Sequence, residues 1–445
     1  MEKKQQESFI KDSIITPIQK FTRIESFSGI LLFSATVIAL ILANSPIGES
    51  FNAIWEYKIG ISSKNFHLVK PLILWINDGL MAIFFFVIGL EIKRELMIGE
   101  LNTFKKASLP LIAAVGGMIV PVSIYLLFNQ TPETHSGWGI PMATDIAFSL
   151  AILTLLGKRV PVALKVFLTA FAIVDDLGAV LVIALFYSEE IKWMLLLYAM
   201  ILFVVLLILS RKNLYSNYIL VIVGAVIWYL FLKAGIHPTI AGVLLAFTVP
   251  ISQKIDIKTY NEKLKGIVAR IARTEDNDKP ILKDEHFDAV DQLEEWTSKV
   301  HSPLQHLEHK LHNWVAYFIM PVFAFSNSGV IISSDFHLDF HLIGQISGGL
   351  ILGKSIGITL FSWIAIKFGL AARPAGSDFK QIIGIAFLAG VGFTMSIFIA
   401  NLAFAKHFFL LDSAKLGILV GSLISGIVGY LILRKYTSKD ETSKV

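Results

Sequence analysis

The sequence predicts an all-α polytopic membrane protein with about 12 transmembrane helices, and three observations support this fold class. Hydrophobic residues make up 55% of the 445 residues and charged residues only 16%, whereas soluble proteins contain about 25% charged residues. Apolar runs of roughly 17–27 residues, long enough to cross a bilayer as a helix, recur along the chain. The charged residues concentrate in the segments between these runs, as is typical of multi-span membrane proteins.

The apolar runs define twelve predicted spans, separated by mostly short segments. We place these spans at 27–45, 72–92, 107–128, 138–156, 161–187, 191–210, 216–233, 235–252, 311–330, 342–366, 380–404 and 414–434. Spans 1–8 therefore occupy 27–252 and spans 9–12 occupy 311–434. The connector 253–310 mixes acidic and basic residues, and we expect it to be a solvated insertion containing two short helices.

Basic residues predict the orientation of the chain in the membrane. They concentrate in alternate segments, among them 1–26, 93–106, the connector and the tail 435–445, whereas 129–137 and 331–341 contain no Lys or Arg. The positive-inside bias then places both termini in the cytoplasm. The exception is 46–71, which contains three lysines and which we interpret as a small external structure.

Two composition features limit the chemistry of the chain. The absence of cysteine excludes disulfides, thiolate metal sites and cysteine nucleophiles. A net charge of +5 would suggest nucleic-acid binding in a soluble protein, but here it reflects basic loops on one membrane face, so no nucleic-acid partner is expected and membrane lipid is the surrounding partner.

Asp175 and Asp176 lie near the middle of the fifth span, where an ionisable residue costs about 2.5–3.5 kcal/mol and usually has a function. Adjacent helical positions differ by about 100°, so one carboxylate can meet a neighbouring helix while the other lines a cavity. Buried carboxylates can exchange protons near neutral pH and can bind a hard cation through oxygen. The alternative is a structural pair satisfied by neighbouring helices.

Lys354 is the only lysine deep within a span, and we expect it to be the counter-ion of one of the two aspartates. An isolated buried ammonium would tend to lose its proton, so an acidic partner is needed. Lys165, near the end of span five, can reach the membrane surface along its own side chain.

Spans four and eleven contain residues that interrupt helices. Span four contains Gly139, Pro141, Thr144 and Asp145, and span eleven contains Gly390 and Gly392 at its centre. Irregular backbone at membrane depth is tolerated where it lines a cavity, although each glycine pair by itself is equally consistent with close helix packing. The two interruptions occupy the middle of spans 3–5 and 10–12, which run in opposite directions and predict inverted-topology repeats around a transport site.

Several titratable residues lie at the ends of spans. Asp78 follows Asn77 at one end of span two, and Glu91 lies at the other end. His237 begins span eight and could titrate near neutral pH. Glu308 and His309, with His312, precede span nine. Interfacial anchoring, a structural histidine and a solvated helix end are the corresponding structural alternatives.

These residues lie in segments that together resemble the NhaA family of bacterial Na⁺/H⁺ antiporters. The segments, which span nearly the whole chain, are WINDGLMAIFFFVIGLEIKREL, GIPMATDIAFSLAIL, AIVDDLGAVLVIALFY, GIHPTIAGV, HLEHKLHNWVAYFIMPVFAFSNSGV, LGKSIGI and GVGFTMSIFIA. The resemblance is weakest over 253–303, where the connector is longer than in the shorter family members.

The resemblance implies a role for each matching residue. Asp176 would bind the sodium ion with Asp175 alongside it, and Lys354 would pair with Asp175 and exchange partners during transport. Thr144 and Asp145 would lie where the interrupted spans cross. The resemblance implies a pH response or accessory role for Asp78, Glu91, His237, Glu308 and His309. It also implies a location in the bacterial inner membrane and a homodimer with 46–71 as a contact. It implies no cofactor, with Na⁺ (or Li⁺) and H⁺ as transported substrates.

The expected function is therefore electrogenic, pH-regulated export of sodium in exchange for external protons, not enzymatic catalysis. Three rival functions fit the sequence less well. An intramembrane aspartyl protease needs two carboxylates that converge from different helices. A cation channel favours a continuous polar pore without a central lysine. A transporter of potassium or an organic cation is the nearest alternative, but a site built only from oxygen ligands favours a small hard ion.

Overall fold

The computed structural model describes residues 16–63, 66–188, 190–212, 214–253, 255–273, 284–331 and 338–437. Within these ranges the chain is almost entirely helical, and its one sheet is a two-stranded hairpin. The predicted N-terminal segment 1–26 and the tail 435–445 lie partly outside the described residues, as does most of the loop 331–341.

The first half of the chain begins with two helices, α1 (Thr16–Ala43) and α2 (Gly48–Glu56), followed by the strands β1 (Lys58–Ser63) and β2 (Phe66–Pro71). The helices that follow are α3 (Leu72–Met97), α4 (Phe104–Phe128), α5 (Ile146–Leu155), α6 (Val162–Phe186), α7 (Trp193–Arg211), α8 (Asn217–Ala234) and α9 (Thr239–Thr248). A 3-10 segment, Pro132–Met142, precedes α5, and a 3-10 turn, Gly157–Arg159, follows it.

The second half begins with the connector helices α10 (Ile257–Arg273) and α11 (Asp284–Val300). Helix α12 consists of the consecutive segments Pro303–Trp314, Val315–Ile319 and Met320–Asn327, the middle one in π conformation. The chain then continues through α13 (Phe340–Lys367), α14 (Phe379–Ala389), α15 (Phe393–Ala403) and α16 (Phe408–Tyr436).

In the described part of the chain, seven helices are long and apolar enough to cross a membrane, and three bent helix pairs raise the number to ten. The predicted spans eight and nine account for the remaining two. Span eight is the short helix α9, of 10 residues, and span nine is α12, whose first segment is polar. The chain is thus a multi-pass membrane protein, with two of its spans weaker in length or hydrophobicity than the sequence pattern suggests.

Helix α3 has 26 residues and is therefore about 39 Å long. Its two ends lie at opposite ends of the molecule. We call the end carrying β1 and β2 the hairpin face and the end carrying α10 and α11 the connector face. The strands pair in antiparallel register from Lys58 with Pro71 to Ser63 with Phe66. The Trp75 indole donates a hydrogen bond to the Ile59 carbonyl at 2.8 Å and so fixes the hairpin to α3. The expected small structure at 46–71 is therefore α2 with this hairpin.

The connector forms the two expected helices. Ile267 of α10 and Ala289 of α11 are both buried, and the two helices contact each other along their length. The chain leaves and returns at one point, because the Leu304 amide donates a hydrogen bond to the Pro250 carbonyl at 3.1 Å. The insertion therefore closes on itself at the first turn of α12.

The spans around the predicted site are packed closely through small residues. A Cβ added to Gly357 of α13 would lie 2.1 Å from the Gly116 carbonyl of α4, so both helices need glycine here. Such close approach is typical of membrane helix pairs. It places α13, which carries Lys354, directly beside the centre of the bundle.

Candidate functional site

Asp175 and Lys354 form a buried ion pair at the centre of the molecule. Asp175, on α6, is 1% exposed and Lys354, on α13, is fully buried. The Lys354 ammonium donates a hydrogen bond to Asp175 Oδ2 at 2.8 Å and another to the carbonyl of Met142, the last residue of the 3-10 segment. The lysine thus connects α6, α13 and the interrupted fourth span.

Asp176 has a different environment from its neighbour. It lines a cavity of about 50 Å³ and makes no hydrogen bond or ion pair with any of the residues described. A cavity of this size has room for an ion and a few water molecules. In the structure, Asp175 contacts the neighbouring helix α13 through Lys354, and Asp176 faces the cavity.

Asp145 connects the two interrupted spans. Its Oδ1 accepts a hydrogen bond from the Phe148 amide at 3.0 Å and caps the N-terminus of α5. Its Oδ2 accepts hydrogen bonds from the Thr394 hydroxyl at 2.6 Å and the Thr394 amide at 3.2 Å, at the start of α15. A carboxylate between two helix N-termini is stabilised by both helix dipoles. Asp145 also lines the cavity that contains Asp176.

The predicted interruptions of spans four and eleven are present. The 3-10 segment and α5 meet at 46°, two residues after Pro141, and α14 and α15 meet at 43° around Gly390–Gly392. Both glycines have negative φ, so left-handed backbone is not the reason for glycine here. A Cβ at Gly390 would lie 2.4 Å from the Leu350 carbonyl. Close packing and a helix break therefore occur together.

Backbone groups released by the interruptions are hydrogen-bonded by side chains and by the other interrupted span. The Thr144 hydroxyl donates to the Ala389 carbonyl at 2.8 Å, and the Asp145 amide donates to the Val391 carbonyl at 2.7 Å. The Ser396 hydroxyl donates to the Ile140 carbonyl at 2.8 Å. An unbonded peptide group in the bilayer would cost several kcal/mol, so these contacts make the irregular backbone stable.

The cavity extends toward the connector face between α3 and α12. Glu91 and His312 line it, with 3.7 Å between Glu91 Oε1 and His312 Nδ1. Glu308 forms an ion pair with Arg94 at 3.1 Å. Burial raises the pKa of Glu308 to about 7, although the nearby Arg94 guanidinium opposes the shift. His309 is exposed, so the structure places His312 at the cavity instead.

A second cavity, of about 600 Å³, opens at the hairpin face. Asp78 lines it and forms an ion pair with Lys70 of β2 at 2.6 Å, and His237 Nε2 lies 3.5 Å from the other Asp78 oxygen. His237 also shares a hydrogen bond with the Thr239 hydroxyl at 2.7 Å. Asp78 and His237, which are far apart in the sequence, thus form one cluster.

The structure adds residues that the sequence argument did not single out as site residues. Thr394 binds Asp145, Lys70 pairs with Asp78, and Arg94 pairs with Glu308. Thr394 could have been identified as a hydroxyl two residues after the Gly390–Gly392 interruption. Lys70 gave no comparable signal, since its partner depends on how the hairpin folds back onto α3.

Taken together, the site offers carboxylate oxygens to a cation and ionisable groups to a proton, in one narrow cavity between two interrupted helices. Asp176 is the open acceptor, Asp175 is neutralised by Lys354, and Asp145 is fixed by helix N-termini. An aspartyl protease would need two carboxylates sharing a water, but Asp175 and Asp145 are each held by other partners. The geometry fits reversible binding of a small hard cation.

Comparison with known proteins gives consistent results. Residues 19–433 match the family model Na⁺/H⁺ antiporter 1. The chain is 46% identical over 426 residues to Na⁺/H⁺ antiporter NhaA of Oleidesulfovibrio alaskensis, covering 95% of this chain and 94% of that protein. It is 46% identical to NhaA of Helicobacter pylori, with 95% and 96% covered. It is 44% identical to Na⁺/H⁺ antiporter NhaA 1 of Saccharophagus degradans, with 95% and 92% covered.

Proposed function

Because the chain belongs to the Na⁺/H⁺ antiporter 1 family, we propose that it is an electrogenic Na⁺(Li⁺)/H⁺ antiporter that exports sodium in exchange for external protons. It is a secondary transporter and not an enzyme. The observation that carries the proposal is the contrast between the adjacent aspartates. Asp176 lines the cavity without a partner among the residues described, whereas Asp175 is paired with Lys354.

The proposed exchange follows from competition for the same carboxylates. With the site facing the cytoplasm, Asp176 loses its proton and accepts Na⁺, and with the site facing outward, protons displace the ion. Lys354 separates from Asp175 during the cycle, and either the two carboxylates together or Asp176 with Lys354 bind and release protons, so the site carries more proton charge than one Na⁺ removes. The cycle is then driven by membrane potential as well as by the pH gradient.

The surroundings of the site support further parts of the proposal. The connector face, with its basic segments, is assigned to the cytoplasm of a bacterial inner membrane, with both termini on that side. Glu91, Glu308, His309 and the cluster of Asp78 with His237 are assigned to the pH response. Strand β1 has exposed residues throughout and, within the described part of the chain, pairs with β2 alone, which supports a homodimer formed through this edge.

A reconstitution experiment tests the assignment of the site. Wild type, Asp176→Asn and the control Asp412→Asn are placed in liposomes, and Na⁺, Li⁺ or K⁺ is added to an imposed pH gradient. Asp412 is a half-buried carboxylate of α16 that lines neither cavity. We expect Na⁺/H⁺ exchange to be lost in Asp176→Asn and kept in the control. Exchange at the wild-type rate in Asp176→Asn contradicts the site, and indifference to an imposed potential contradicts electrogenic exchange.

A further inference from the structure

Three asparagines from three spans form a hydrogen-bonded cluster in the protein interior. Asn77 of α3 and Asn327 of α12 exchange hydrogen bonds, with Nδ2–Oδ1 distances of 3.2 and 2.9 Å. The Asn401 amide of α15 donates to Asn327 Oδ1 at 2.7 Å. Asn77 is 7% and Asn327 1% exposed. A buried amide is costly unless it is bonded, so these side chains hold α3, α12 and α15 together.

The cluster lies between the two cavities. Phe84, Met320 and Met395 line the cavity of Asp176, and each lies on the same helix as one asparagine, six or seven residues away, or about 10 Å. On the other side, Asp78 and Leu402, the chain neighbours of Asn77 and Asn401, line the cavity at the hairpin face. The cluster therefore lies between the two cavities along α3 and α15.

The local conformation of α3 explains how the adjacent residues Asn77 and Asp78 contact different parts of the molecule. The segment Trp75–Leu80 is a π-helix, a conformation frequent at functional sites. Asn77 bonds to Asn327, whereas Asp78 faces the cavity and pairs with Lys70. The Asp78 carbonyl accepts a hydrogen bond from the Trp228 indole at 2.9 Å. The cluster thus shares a helical turn with the lining of the hairpin-face cavity.

An aromatic layer lies beside the cluster on the side of Asp176. The ring of Phe398 is 5.5 Å from that of Phe85 and 6.1 Å from that of Phe323, measured between centroids, and His237 packs edge-on against Phe398 at 5.3 Å. Phe323 and Phe398 lie about one turn before Asn327 and Asn401. The region between the two cavities therefore has an apolar layer, which excludes water, and an amide layer, which binds the helices to each other.

We propose that Asn77, Asn327 and Asn401, which we call the amide gate, close the transport site on the hairpin side and open when α15 moves away from α3 and α12. Helix α15 is suited to this motion, because Thr394 at its start binds Asp145 and Asn401 near its end binds the gate. Amides are suited to a gate because they bond to one another when it is closed and to water when it is open.

The gate is tested by measuring access to a thiol, which the cysteine-free chain allows. The reporter is Met395→Cys, which lines the cavity of Asp176. A positively charged, membrane-impermeant methanethiosulfonate is applied to one membrane face at a time in oriented vesicles. Separate reporters, Ile61→Cys in β1 and Val290→Cys in α11, both exposed, identify the hairpin face and the connector face.

Asn327→Ala removes both contacts within the gate, and Asn401→Ala removes one. We expect the modification rate at Met395→Cys from the hairpin face to rise about tenfold in Asn327→Ala and by a smaller factor in Asn401→Ala, while the rate from the connector face falls. The control is Asn44→Ala, which removes an amide bond of 2.8 Å to the Val330 carbonyl outside both cavities and should leave both rates unchanged.

Unchanged modification rates at Met395→Cys in the Asn401→Ala variant, shown to be folded by size-exclusion chromatography, would overturn the gate. Equal increases of the rate from both faces would also overturn it, because they indicate loosened packing. If Asn327→Ala does not fold, Asn401→Ala still decides the result, because its side chain is only partly buried. Access is independent of which ion the site carries. The thiol measurement therefore succeeds or fails separately from the ion-exchange assay.

Discussion

Asp175 and Asp176 are consecutive residues with opposite surroundings, and this difference is the basis of the proposed exchange. Lys354 neutralises Asp175, so that carboxylate is held in a bonded ion pair. Asp176 lies one residue further along α6, faces the cavity and has no such partner among the described residues. The open carboxylate allows Na⁺ to replace a proton at Asp176, and the proposed separation of Asp175 from Lys354 supplies the further proton charge that electrogenic exchange needs.

The buried ion pair between Asp175 and Lys354 predicts how single and double substitutions change the free energy of unfolding. Lys354→Gln leaves Asp175 buried without its cation, which should lower the free energy of unfolding by about 3–5 kcal/mol. The double variant Asp175→Asn/Lys354→Gln should recover part of this loss, because no uncompensated charge remains. Thermal unfolding of the purified protein in detergent measures the difference. Lys367→Gln, an exposed lysine 4.3 Å from the Trp363 ring, is the control and should change little.

A double variant no more stable than Lys354→Gln alone would contradict the account of the pair. It would mean that the lysine stabilises the fold through its bond to the Met142 carbonyl and not through Asp175.

The protonation of Glu308 should account for part of the pH dependence of Na⁺/H⁺ exchange. Its pKa of about 7 means that the carboxyl is mostly neutral at pH 6 and mostly charged at pH 8. Glu308 lies about one helical turn before His312, which lines the cavity. Its added negative charge should favour cations, so Glu308→Gln should flatten the rise in activity over this range. We expect the Na⁺ concentration for half-maximal exchange at pH 8 to increase about two- to fivefold.

The measurement is Na⁺/H⁺ exchange in liposomes at pH 6, 7 and 8, with Glu262→Gln in the exposed part of α10 as the control. An activity profile of Glu308→Gln that coincides with that of the wild type would remove Glu308 from the pH response.

At the scale of elements, the interrupted spans decide where the site lies. Each releases backbone groups at membrane depth, and each supplies bonds to the other, such as Thr144 to the Ala389 carbonyl. Ser422 of α16 adds a further bond, since its hydroxyl accepts from the amides of Gly392 and Phe393 at 3.2 and 3.1 Å. Neither interruption would be stable without the other helices around it.

The glycines at the interruption give a test at this scale. Gly390→Ala places a Cβ 2.4 Å from the Leu350 carbonyl and from Ser425 Oγ, and displacing backbone typically costs about 1–3 kcal/mol. We expect a lower unfolding temperature and slower transport. The matched control is Gly348→Ala, also in a helical conformation but with nothing within 4 Å of the added Cβ; it should be neutral or stabilising by about 0.5–1 kcal/mol. Equal effects of the two substitutions would refute the packing argument.

At the scale of the whole molecule, the connector is structurally separable from the spans. Pro250 and Leu304 are hydrogen-bonded at the point where the connector begins and ends. Leu304 is fully buried in a cluster with residues of α9, so the junction is held without α10 and α11. The insertion therefore does not determine the spacing of the helices that enclose Asp176.

We therefore expect that replacing residues 253–301 by a flexible linker of about four residues will leave Na⁺/H⁺ exchange within about twofold of wild type, since a short linker can span this closed junction. The measurement is exchange by the purified variant in liposomes. Leu304→Ala in the full-length chain is the comparison, and it should cost more stability because it empties a buried site, by about 2–5 kcal/mol. Loss of exchange in a folded deletion variant would show that the connector takes part in transport.

The sequence by itself determined the membrane class, most span positions and the central residues. Long apolar runs leave no soluble alternative, and charges at mid-span are too costly to be incidental, so Asp175, Asp176 and Lys354 are visible in the pattern. The interruptions near Pro141 and Gly390 were also predictable, because proline and glycine at membrane depth need special surroundings.

Only the tertiary structure decided which groups meet. The pairing of Lys354 with Asp175 rather than Asp176 depends on how α6 and α13 are rotated against each other. The position of His312 at the cavity and of His309 at the surface depends on the rotation of α12. In the amide gate, the hydrogen-bonded residues Asn77 and Asn327 are 250 positions apart in the chain. Hydrophobic patterning fixes which segments enter the membrane, but helix rotation and contact follow from packing, which a single sequence does not specify.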